Sequence, residues 1–557
     1  MTDSLALRRR SFLGATGAFT LGFTLGETPA LAATPAGTRV NSWLAVGSDN
    51  SVTLTIGASD MGQGSFQALA QVLAEDLMVD PRRVQLVQGG PTMAAPAPIG
   101  AAINTVGSSV TRSNYWKLRD AGAIARETLV MAAMAAQGDP SRGSYSVSDG
   151  VVRHTGGARW TYGQLAAAAA QLTPPASAPL VPDNALKSIG QPLPRSDIPA
   201  KVDGSARYGI DVRLPGMVFA AVRSGPLGDT RFASLDEKSA TQSRDVLKVI
   251  KKESWVAVVA KTWWAAQSAL DAAKPRFTTT GPFPDEAAVT KALRAALNED
   301  GTETTKVGDV DAMFANAKLL RADYSGGFRA HASLETLSAT AALRDGTLEV
   351  WMQTQAPGLA RSAVAKACDL SEADVVIHPM MIGGSFGRNH ELDAGVQAAQ
   401  LAIELDRPVQ LVWSRSEDMM QDRFGPPAAA RLFARMGPAG QIEAWRARIA
   451  APAALAQTKA RVVDGQTPLD AGKESAGATD SSAVAGAVPP YTLPNVSILH
   501  HTADVGVPVG KLRGGADLYN AFFREAFIDE LSKESGVEGF SFRMAMLGGN
   551  PRLATCL

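Results

Sequence analysis

The sequence predicts a multi-domain α/β protein, from its length and from three glycine-rich loops in similar settings. A chain of 557 residues exceeds what one hydrophobic core holds, so two to four domains are expected. The loops span residues 61–64, 382–388 and 512–515, each where an apolar strand-like run gives way to a helical pattern. Glycine permits positive φ and close approach of backbone N–H groups to a ligand, and helix N-termini favour anions. Together the loops indicate one large phosphate-bearing cofactor.

The spacing of apolar residues predicts the individual elements. Residues 51–57 alternate apolar and polar side chains, as a half-buried strand does. The remaining elements are a helix with apolar residues at 66, 69, 73 and 77, a helix from about Thr111, strands over 207–223 and 256–260, a helix over 263–273, strands over 348–352 and 375–382, a helix with apolar residues at 392, 396, 399 and 403, and a last helix with Phe523, Phe527 and Leu531 on one face.

Four segments have no predicted helix or strand. Seven prolines from Pro174 to Pro199 mark a linker or an extended crossing segment. Residues 451–487 are rich in Ala, Gly, Ser and Thr, which predicts a long surface insert. The chain after residues 550–552 shows no terminating structure. Glu417 and Asp418 are expected on a solvated loop.

Composition narrows the class of protein. The 54 basic and 54 acidic side chains give zero formal charge, which argues against a nucleic-acid or polybasic membrane-binding role. Only Cys368 and Cys556 occur, so this chain cannot build a disulfide framework or a Cys-ligated iron–sulfur cluster. The six histidines show no ligand spacing, and His331, His378 and His390 are each expected to be satisfied or at the surface. No metal ligand is predicted on the protein, and one-electron carriers would lie on a partner.

The first 32 residues resemble a twin-arginine signal peptide. Arg9 and Arg10 precede Ser-Phe-Leu and a short, glycine-rich apolar run, and Ala30-Leu31-Ala32 provides a cleavage site. The alternative is a disordered tail with a chance arginine pair. A twin-arginine signal carries folded cargo, so we expect a periplasmic protein loaded with its cofactor before export.

The glycine loops also have simpler interpretations. Gly62 and Gly64 could form an ordinary strand-to-helix turn. The loop at 383–388 lacks the Gly-x-Gly-x-x-Gly spacing of a dinucleotide fingerprint. Phe386, taken alone, would more often be a core residue, and Glu335 a structural hydrogen-bond acceptor.

Six motifs follow one another along the chain, at residues 61–64, 201–217, 331–336, 351–355, 383–388 and 412–415. In this order they resemble the large subunit of the xanthine oxidase family of molybdenum hydroxylases. The pattern is most similar to the exported branch, typified by the beta chains of isoquinoline 1-oxidoreductases and by periplasmic aldehyde dehydrogenases, in which the Met-Gly-Gln-Gly motif comes near the N-terminus. One such motif would be weak, whereas six in order behind an export signal are specific.

The resemblance implies a molybdopterin cofactor, usually the cytosine dinucleotide, with molybdenum held by the pterin dithiolene. It implies that Gly62, Gln63 and Gly64 approach the pterin and pyrophosphate. The other implied roles are phosphate binding by Ser108, Ser109 and Thr111, a hydrogen bond from Gln355 to an oxo ligand on molybdenum, lining of the metal site by Gly384, Phe386, Gly387 and Gly514, and stabilisation of oxyanion charge or substrate by Arg513.

The implied reaction is oxidative hydroxylation of aldehydes or N-heterocycles with water. Electrons would pass to [2Fe-2S] clusters on a small subunit, and in the exported branch often to a cytochrome c subunit. The predicted domains are the signal peptide (1–32), an N-terminal part of the molybdopterin-binding region (33–180), an embedded α/β-hammerhead-type domain (181–320), and a molybdopterin-binding domain incomplete at its C-terminus (321–557).

One departure from the family concerns catalysis. The family's general base is a glutamate in a Gly-x-Gly-Glu segment near its C-terminus, and this sequence contains no such segment. We therefore expect little hydroxylase activity from this polypeptide alone. A separate polypeptide could supply the missing part, or the chain could be a non-catalytic remnant or cofactor-binding scaffold. A periplasmic solute-binding protein would fit the export signal but not the glycine loops.

Overall fold

The computed structural model describes residues 44–88, 104–280 and 284–557, and the backbone of Phe19–Leu21. The rest of the predicted signal peptide, with its arginine pair and cleavage site, lies outside the described residues. The chain is 38% helical and 24% strand, which confirms the mixed α/β class. No described helix is long and apolar enough to cross a lipid bilayer.

The α-helices and strands of the described residues have the following bounds. The helices are α1 Ser65–Leu77, α2 Ser109–Gln137, α3 Tyr162–Ala169, α4 Ile198–Val202, α5 Glu237–Ala240, α6 Trp263–Ala273, α7 Glu286–Ala296, α8 Val310–Phe314, α9 Pro357–Ala367, α10 Asp393–Leu405, α11 Arg415–Met420, α12 Ala454–Val462, α13 Pro468–Glu474, α14 Asp517–Ser535, α15 Gly539–Ala545 and α16 Pro551–Cys556. The strands are β1 Phe19–Leu21, β2 Leu44–Val46, β3 Val52–Ile56, β4 Val84–Gln88, β5 Tyr145–Ser148, β6 Val151–His154, β7 Arg159–Thr161, β8 Val218–Ser224, β9 Asp229–Ser234, β10 Val246–Lys251, β11 Trp255–Ala260, β12 Arg276–Thr280, β13 Thr302–Val307, β14 Leu320–Gly326, β15 Ser338–Arg344, β16 Thr347–Met352, β17 Val375–Pro379, β18 Val409–Val412, β19 Ala428–Met436, β20 Ile442–Ala451 and β21 Val496–Thr502.

The chain divides into two compact units. The first unit comprises Met1–Leu214 and Ala339–Gly384, and the second comprises Pro215–Ser338 and Ser385–Leu557. The first unit holds a sheet in the order β1-β2-β3-β4, in which α1 connects β3 to the parallel strand β4. Helix α2 packs closely on α1 at Gly122, where a Cβ atom would lie 2.6 Å from the Leu73 carbonyl oxygen. The first unit also contains β16 and the parallel strand β17, with α9 between them.

The second unit contains two larger groups of strands. In one, β10, β11, β8 and β18 are neighbours, and α6 packs on β8 and β11. In the other, a five-stranded sheet has the order β13-β21-β20-β19-β14. Trp445 on this sheet packs against Phe527 of α14, with ring centroids 5.2 Å apart, inside a core that also buries Phe523. The helical pattern of Phe523, Phe527 and Leu531 therefore marks the buried face of α14, as predicted.

Most predicted helices and strands are confirmed, but three expectations about secondary structure are wrong. The strand predicted over 207–223 is much shorter in the structure, where β8 begins only at Val218. Residues 451–487 are not simply a surface insert, because they contain α12 and α13 and bury side chains such as Arg461. The segment after residues 550–552 was expected to have no regular structure, but two further helices, α15 and α16, follow α14, and α16 lies in that segment. The domain bounds at 33–180, 181–320 and 321–557 remain predictions.

Candidate functional site

Side chains in the loop between β3 and α1 form hydrogen bonds with the backbone of the same loop. Gly62 and Gly64 have φ of 89° and 78°, values that favour glycine. The Gln63 amide folds back onto the loop: its Oε1 accepts the Met61 N–H at 2.8 Å and its Nε2 donates to the Ser59 carbonyl at 2.9 Å. The Gly62 N–H donates to Asp60 Oδ1 at 2.9 Å. Because its side chain holds the loop, Gln63 would meet a ligand through its backbone.

Three distant segments of the first unit meet beneath this loop. The Ser59 N–H donates to Thr105 Oγ1 at 2.9 Å, and the Ser59 hydroxyl donates to the Thr354 carbonyl at 2.6 Å. Gln355, which follows β16, donates from Nε2 to the Thr105 carbonyl at 2.6 Å and accepts the Thr105 N–H on its own carbonyl at 2.9 Å. Gln355 is 3% exposed, so its amide is fixed in a buried position beside the glycine loop.

The loop after β17 joins the same assembly. The Ile382 N–H donates to the Asp60 carbonyl at 3.0 Å, and the Gly384 N–H donates to the Ile382 carbonyl at 2.9 Å. Gly384 has φ of 93°. The first unit therefore brings together the predicted site residues Gly62, Gln63, Gly64, Gln355 and Gly384.

Both long helices of this unit begin without a cap. Ser108, in the left-handed conformation with φ of 53°, precedes α2, and Gly64 precedes α1. Neither helix has a side-chain cap or an acidic residue in its first turn. Ser109 donates its hydroxyl to the Val106 carbonyl at 2.8 Å, and Thr111 lies half-buried in the first turn of α2. Uncapped N–H groups and the helix dipole make both helix starts suited to anions.

The second unit brings together Phe386, Gly387, Arg513 and Gly514. The Arg513 N–H donates to the Phe386 carbonyl at 2.7 Å, and its guanidinium carbon lies 5.1 Å from the Phe386 ring centroid. Phe386 is a non-glycine residue at φ 58°, an unusual conformation that often marks functional positions. Gly514 has φ of 84°. The side chain of Phe386 is half-buried and Arg513 is exposed, so both are accessible to a ligand.

A buried polar network supports this loop. His331 bonds Asp422 through Nδ1 at 2.7 Å and the Lys511 carbonyl through Nε2 at 2.7 Å, which confirms that His331 is a satisfied histidine. Arg388 lies 3.4 Å from Asp422 and over the Trp413 ring. Burial alone would raise the pKa of Asp422, but the hydrogen bonds from His331 and the positive charge of Arg388 outweigh burial and lower that pKa. The sequence motif at 383–388 contained Arg388 without indicating this buried role.

His378 and His390, the other two histidines singled out from the sequence, also have defined surroundings. His378 lies 2.8 Å from Glu349 and stacks on Trp351, with ring centroids 4.6 Å apart. His390 is buried, and burial lowers its pKa to about 4. Among the described residues, no group of three or more His, Cys, Asp or Glu side chains is arranged to hold a metal ion.

The expectation of a solvated loop at Glu417 and Asp418 is wrong. Both lie in α11 and are buried, Glu417 with a side chain 0% exposed. Glu417 accepts the Ser224 N–H at 2.7 Å and lies 3.3 Å from Arg223 Nε. Burial raises the pKa of Glu417 to about 7 and also raises the pKa of Asp418. The acidic, polar composition of residues 414–418 concealed a helix whose acids point inward.

Replacing Glu417 with Gln is expected to stabilise the protein at alkaline pH. Since the pKa of Glu417 is raised on folding, the folded state holds the proton more tightly, and stability is lost as pH rises toward 7. Glu417→Gln should raise the free energy of unfolding by about 3 kcal/mol at pH 8 and lose this advantage near pH 4.5. Urea unfolding at both pH values measures it.

The matched control is Glu253→Gln, which removes an exposed acid paired with Arg231 in the same unit. This control should change stability by less than about 1 kcal/mol at either pH. Equal effects of the two substitutions would show that burial of Glu417 does not govern its titration.

Comparison with known proteins identifies the class. A model of a molybdopterin cofactor-binding domain matches residues 294–547, and a second such model matches residues 15–188. The fold and the two matches together define a molybdopterin-binding protein. The chain carries molybdopterin-binding domains of the xanthine oxidase family, and its relatives are molybdenum hydroxylases and oxidoreductases.

The individual relatives share less than a third of their aligned residues with this chain. The chain is 28% identical to the beta chain of isoquinoline 1-oxidoreductase from Brevundimonas diminuta, over 99% of this chain and 76% of that protein. It is 29% identical to one of the subunits of nicotinate dehydrogenase from Pseudomonas putida, over 92% of this chain but only 43% of that protein. The crystal structure of quinoline 2-oxidoreductase from Pseudomonas putida 86 matches with a TM-score of 0.50 and 20% identity, over 64% of this chain and 50% of that one. The chain thus spans about half the length of the solved structure it resembles.

Proposed function

We propose that this chain is the molybdopterin-binding subunit of an exported oxidoreductase that hydroxylates aldehydes or N-heterocycles with oxygen from water. The observation that carries the proposal is the assembly in the first unit, where hydrogen bonds link the segments leading into two uncapped helices and the loop after β17 with the strand end that holds the fixed amide of Gln355. When bound, the molybdenum centre supplies two-electron oxidation of the substrate carbon.

The residues present fit a large phosphate-bearing cofactor. Gly62 and Gly107 are exposed, and a Cβ atom at either would meet nothing within 4 Å, so ligand atoms can approach the backbone there. Ser108, Ser109 and Thr111 would donate hydroxyl and amide hydrogens to phosphate oxygens at the start of α2. We infer the cytosine dinucleotide form from the family pattern.

The residues of the second unit would act on the substrate. The half-buried ring of Phe386 offers an apolar surface to a planar aldehyde or heterocycle. Arg513 places a positive charge beside that ring, where it can hold an oxygen atom that gains negative charge during the reaction. Gly387 follows Phe386 and Gly514 follows Arg513, and both have positive φ values that favour glycine.

The partners and location are inferred from the resemblance. An iron–sulfur small subunit with [2Fe-2S] clusters would accept electrons and pass them to a cytochrome c subunit. The Arg9-Arg10 pair and the Ala-x-Ala site support export to the periplasm by the twin-arginine pathway.

The test is to co-express the full chain with an iron–sulfur small subunit in a host that synthesises the cofactor. We expect about one molybdenum and one pterin per chain, with dye-linked oxidation of benzaldehyde or isoquinoline only when a polypeptide carrying the family's Gly-x-Gly-Glu segment is also co-expressed. Absence of both metal and pterin would overturn the proposal. Retention of the cofactor without turnover, even in the presence of that polypeptide, would favour the alternative, a cofactor-binding scaffold.

Replacing Arg513 with Gln is expected to lower kcat/KM about 100-fold, because a charged donor to the developing oxyanion is lost. The glutamine keeps the backbone N–H that bonds Phe386, so molybdenum content should not change. The control is Arg552→Gln, an exposed arginine of the same unit. Unchanged kcat/KM in the Arg513 variant would remove this residue from the substrate site.

A further inference from the structure

Within the first unit, the C-terminal part of the proline-rich segment (residues 174–199) contacts the glycine loop at residues 61–64. Arg195 donates from Nη1 to the Gly62 carbonyl at 3.0 Å. A Cβ atom at Gly64 would lie 3.3 Å from the same nitrogen. The guanidinium therefore lies directly against the backbone that leads into α1. The seven-proline segment thus reaches the candidate cofactor site.

A set of ion pairs holds Arg195 in this place. Asp197 accepts hydrogen bonds from Arg195 Nε at 2.9 Å and from Nη2 at 2.5 Å. Lys201 lies 2.5 Å from Asp197 and 3.4 Å from Asp60, the buried residue that begins the loop. A guanidinium has five N–H donors, and these contacts use three. About a third of the Arg195 side chain is exposed, so its remaining donors are accessible.

Gln67 is a second, independent indication of a ligand. It lies in the first turn of α1 and is 7% exposed. Its Oε1 accepts the Ser196 N–H at 3.1 Å, which ties it to the residue next to Arg195. Among the described residues, its Nε2 has no hydrogen-bond partner. A buried unpaired donor is costly and rare, and helix side chains lean toward the N-terminus, so this amide lies at the uncapped end of α1.

The chemistry of these groups selects the ligand. The start of α1, the Arg195 guanidinium and the Gln67 Nε2 are all donors, and the two nearby carboxylates are already neutralised by Arg195 and Lys201. We propose that Arg195 and Gln67 form, with the first turn of α1, an anion subsite that binds the pyrophosphate of the cofactor. This inference rests on the proposed function, since it assigns new residues to the same bound group.

The experiment has two readouts, one of which needs no activity. Apo-protein from a host without pterin synthesis is titrated with inorganic pyrophosphate by calorimetry, and holoprotein is dialysed and analysed for molybdenum and pterin. Arg195→Gln should weaken pyrophosphate binding about tenfold and speed cofactor loss, because a charge-assisted hydrogen bond is removed. Gln67→Leu should weaken it several-fold. Arg195→Lys restores the charge and should recover part of the affinity.

The control is Arg159→Gln, an exposed arginine on β7 of the same unit, which should leave both readouts unchanged. The subsite is overturned if Arg195→Gln keeps the wild-type affinity and cofactor content, or if Arg159→Gln loses as much. The two proposals fail separately. Wild-type protein that carries molybdenum but shows no dependence on Arg195 disproves the subsite alone. Wild-type protein without molybdenum or pterin that binds pyrophosphate through Arg195 disproves the proposed function and keeps only the anion-binding role of Arg195.

Discussion

Gly387→Ala is expected to lower the free energy of unfolding by about 3–5 kcal/mol and to disrupt the candidate substrate site. A Cβ atom at this position would lie 1.9 Å from the Lys511 carbonyl oxygen, and the backbone has φ of 111°, which alanine rarely adopts. The Lys511 carbonyl also accepts the hydrogen bond of His331, so moving it disturbs the buried pair with Asp422. Urea unfolding followed by circular dichroism measures the loss.

A suitable control is Gly327→Ala in the same unit. A Cβ atom there meets nothing within 4 Å, so a change of less than about 1 kcal/mol is expected. If Gly387→Ala unfolds at the same urea concentration as the wild type, the close approach of the two loops is not a feature of the folded protein.

Asp76→Asn is expected to lower the free energy of unfolding by about 3–5 kcal/mol, because it removes the buried counter-ion of Arg119 and leaves only the exposed Asp183, 3.4 Å from Arg119 Nη1. Asp76 lies 2.6 Å from Arg119 Nε, and the two side chains are 0% and 1% exposed. Its other oxygen accepts the Val181 N–H at 2.6 Å. Arg119 in turn donates to the Val181 carbonyl. The pair therefore ties α1 and α2 to the proline-rich segment, and thermal unfolding should occur at markedly lower temperature in the variant.

Asp120→Asn tests whether burial is the cause. Asp120 adjoins Arg119 in α2 but is exposed, so its loss of charge should change stability by less than about 1 kcal/mol. Equal destabilisation by both substitutions would point to the loss of one negative charge at either site and not to the buried pair.

The sequence by itself determined the local features of this protein. Apolar residues with helical spacing predicted α1, α6 and α14, since one buried face of a helix leaves a 3.6-residue period that needs no knowledge of the partner. The order of six motifs indicated the family that the two domain matches identify. The three glycine loops were recognisable because positive φ restricts the choice of residue at a single position.

Only the tertiary structure decided which polar groups are buried and which distant segments meet. Glu417 appeared solvated because acids usually are, yet the packing of α11 buries it against Ser224, almost two hundred residues earlier in the chain. Gln355 is fixed by Thr105, and Arg195 lies on the loop at Gly62. Such contacts join positions with no local pattern in common, and burial depends on everything that packs around a side chain. The spacing of residues along the chain records one face of one element, whereas the site is made where several elements come together.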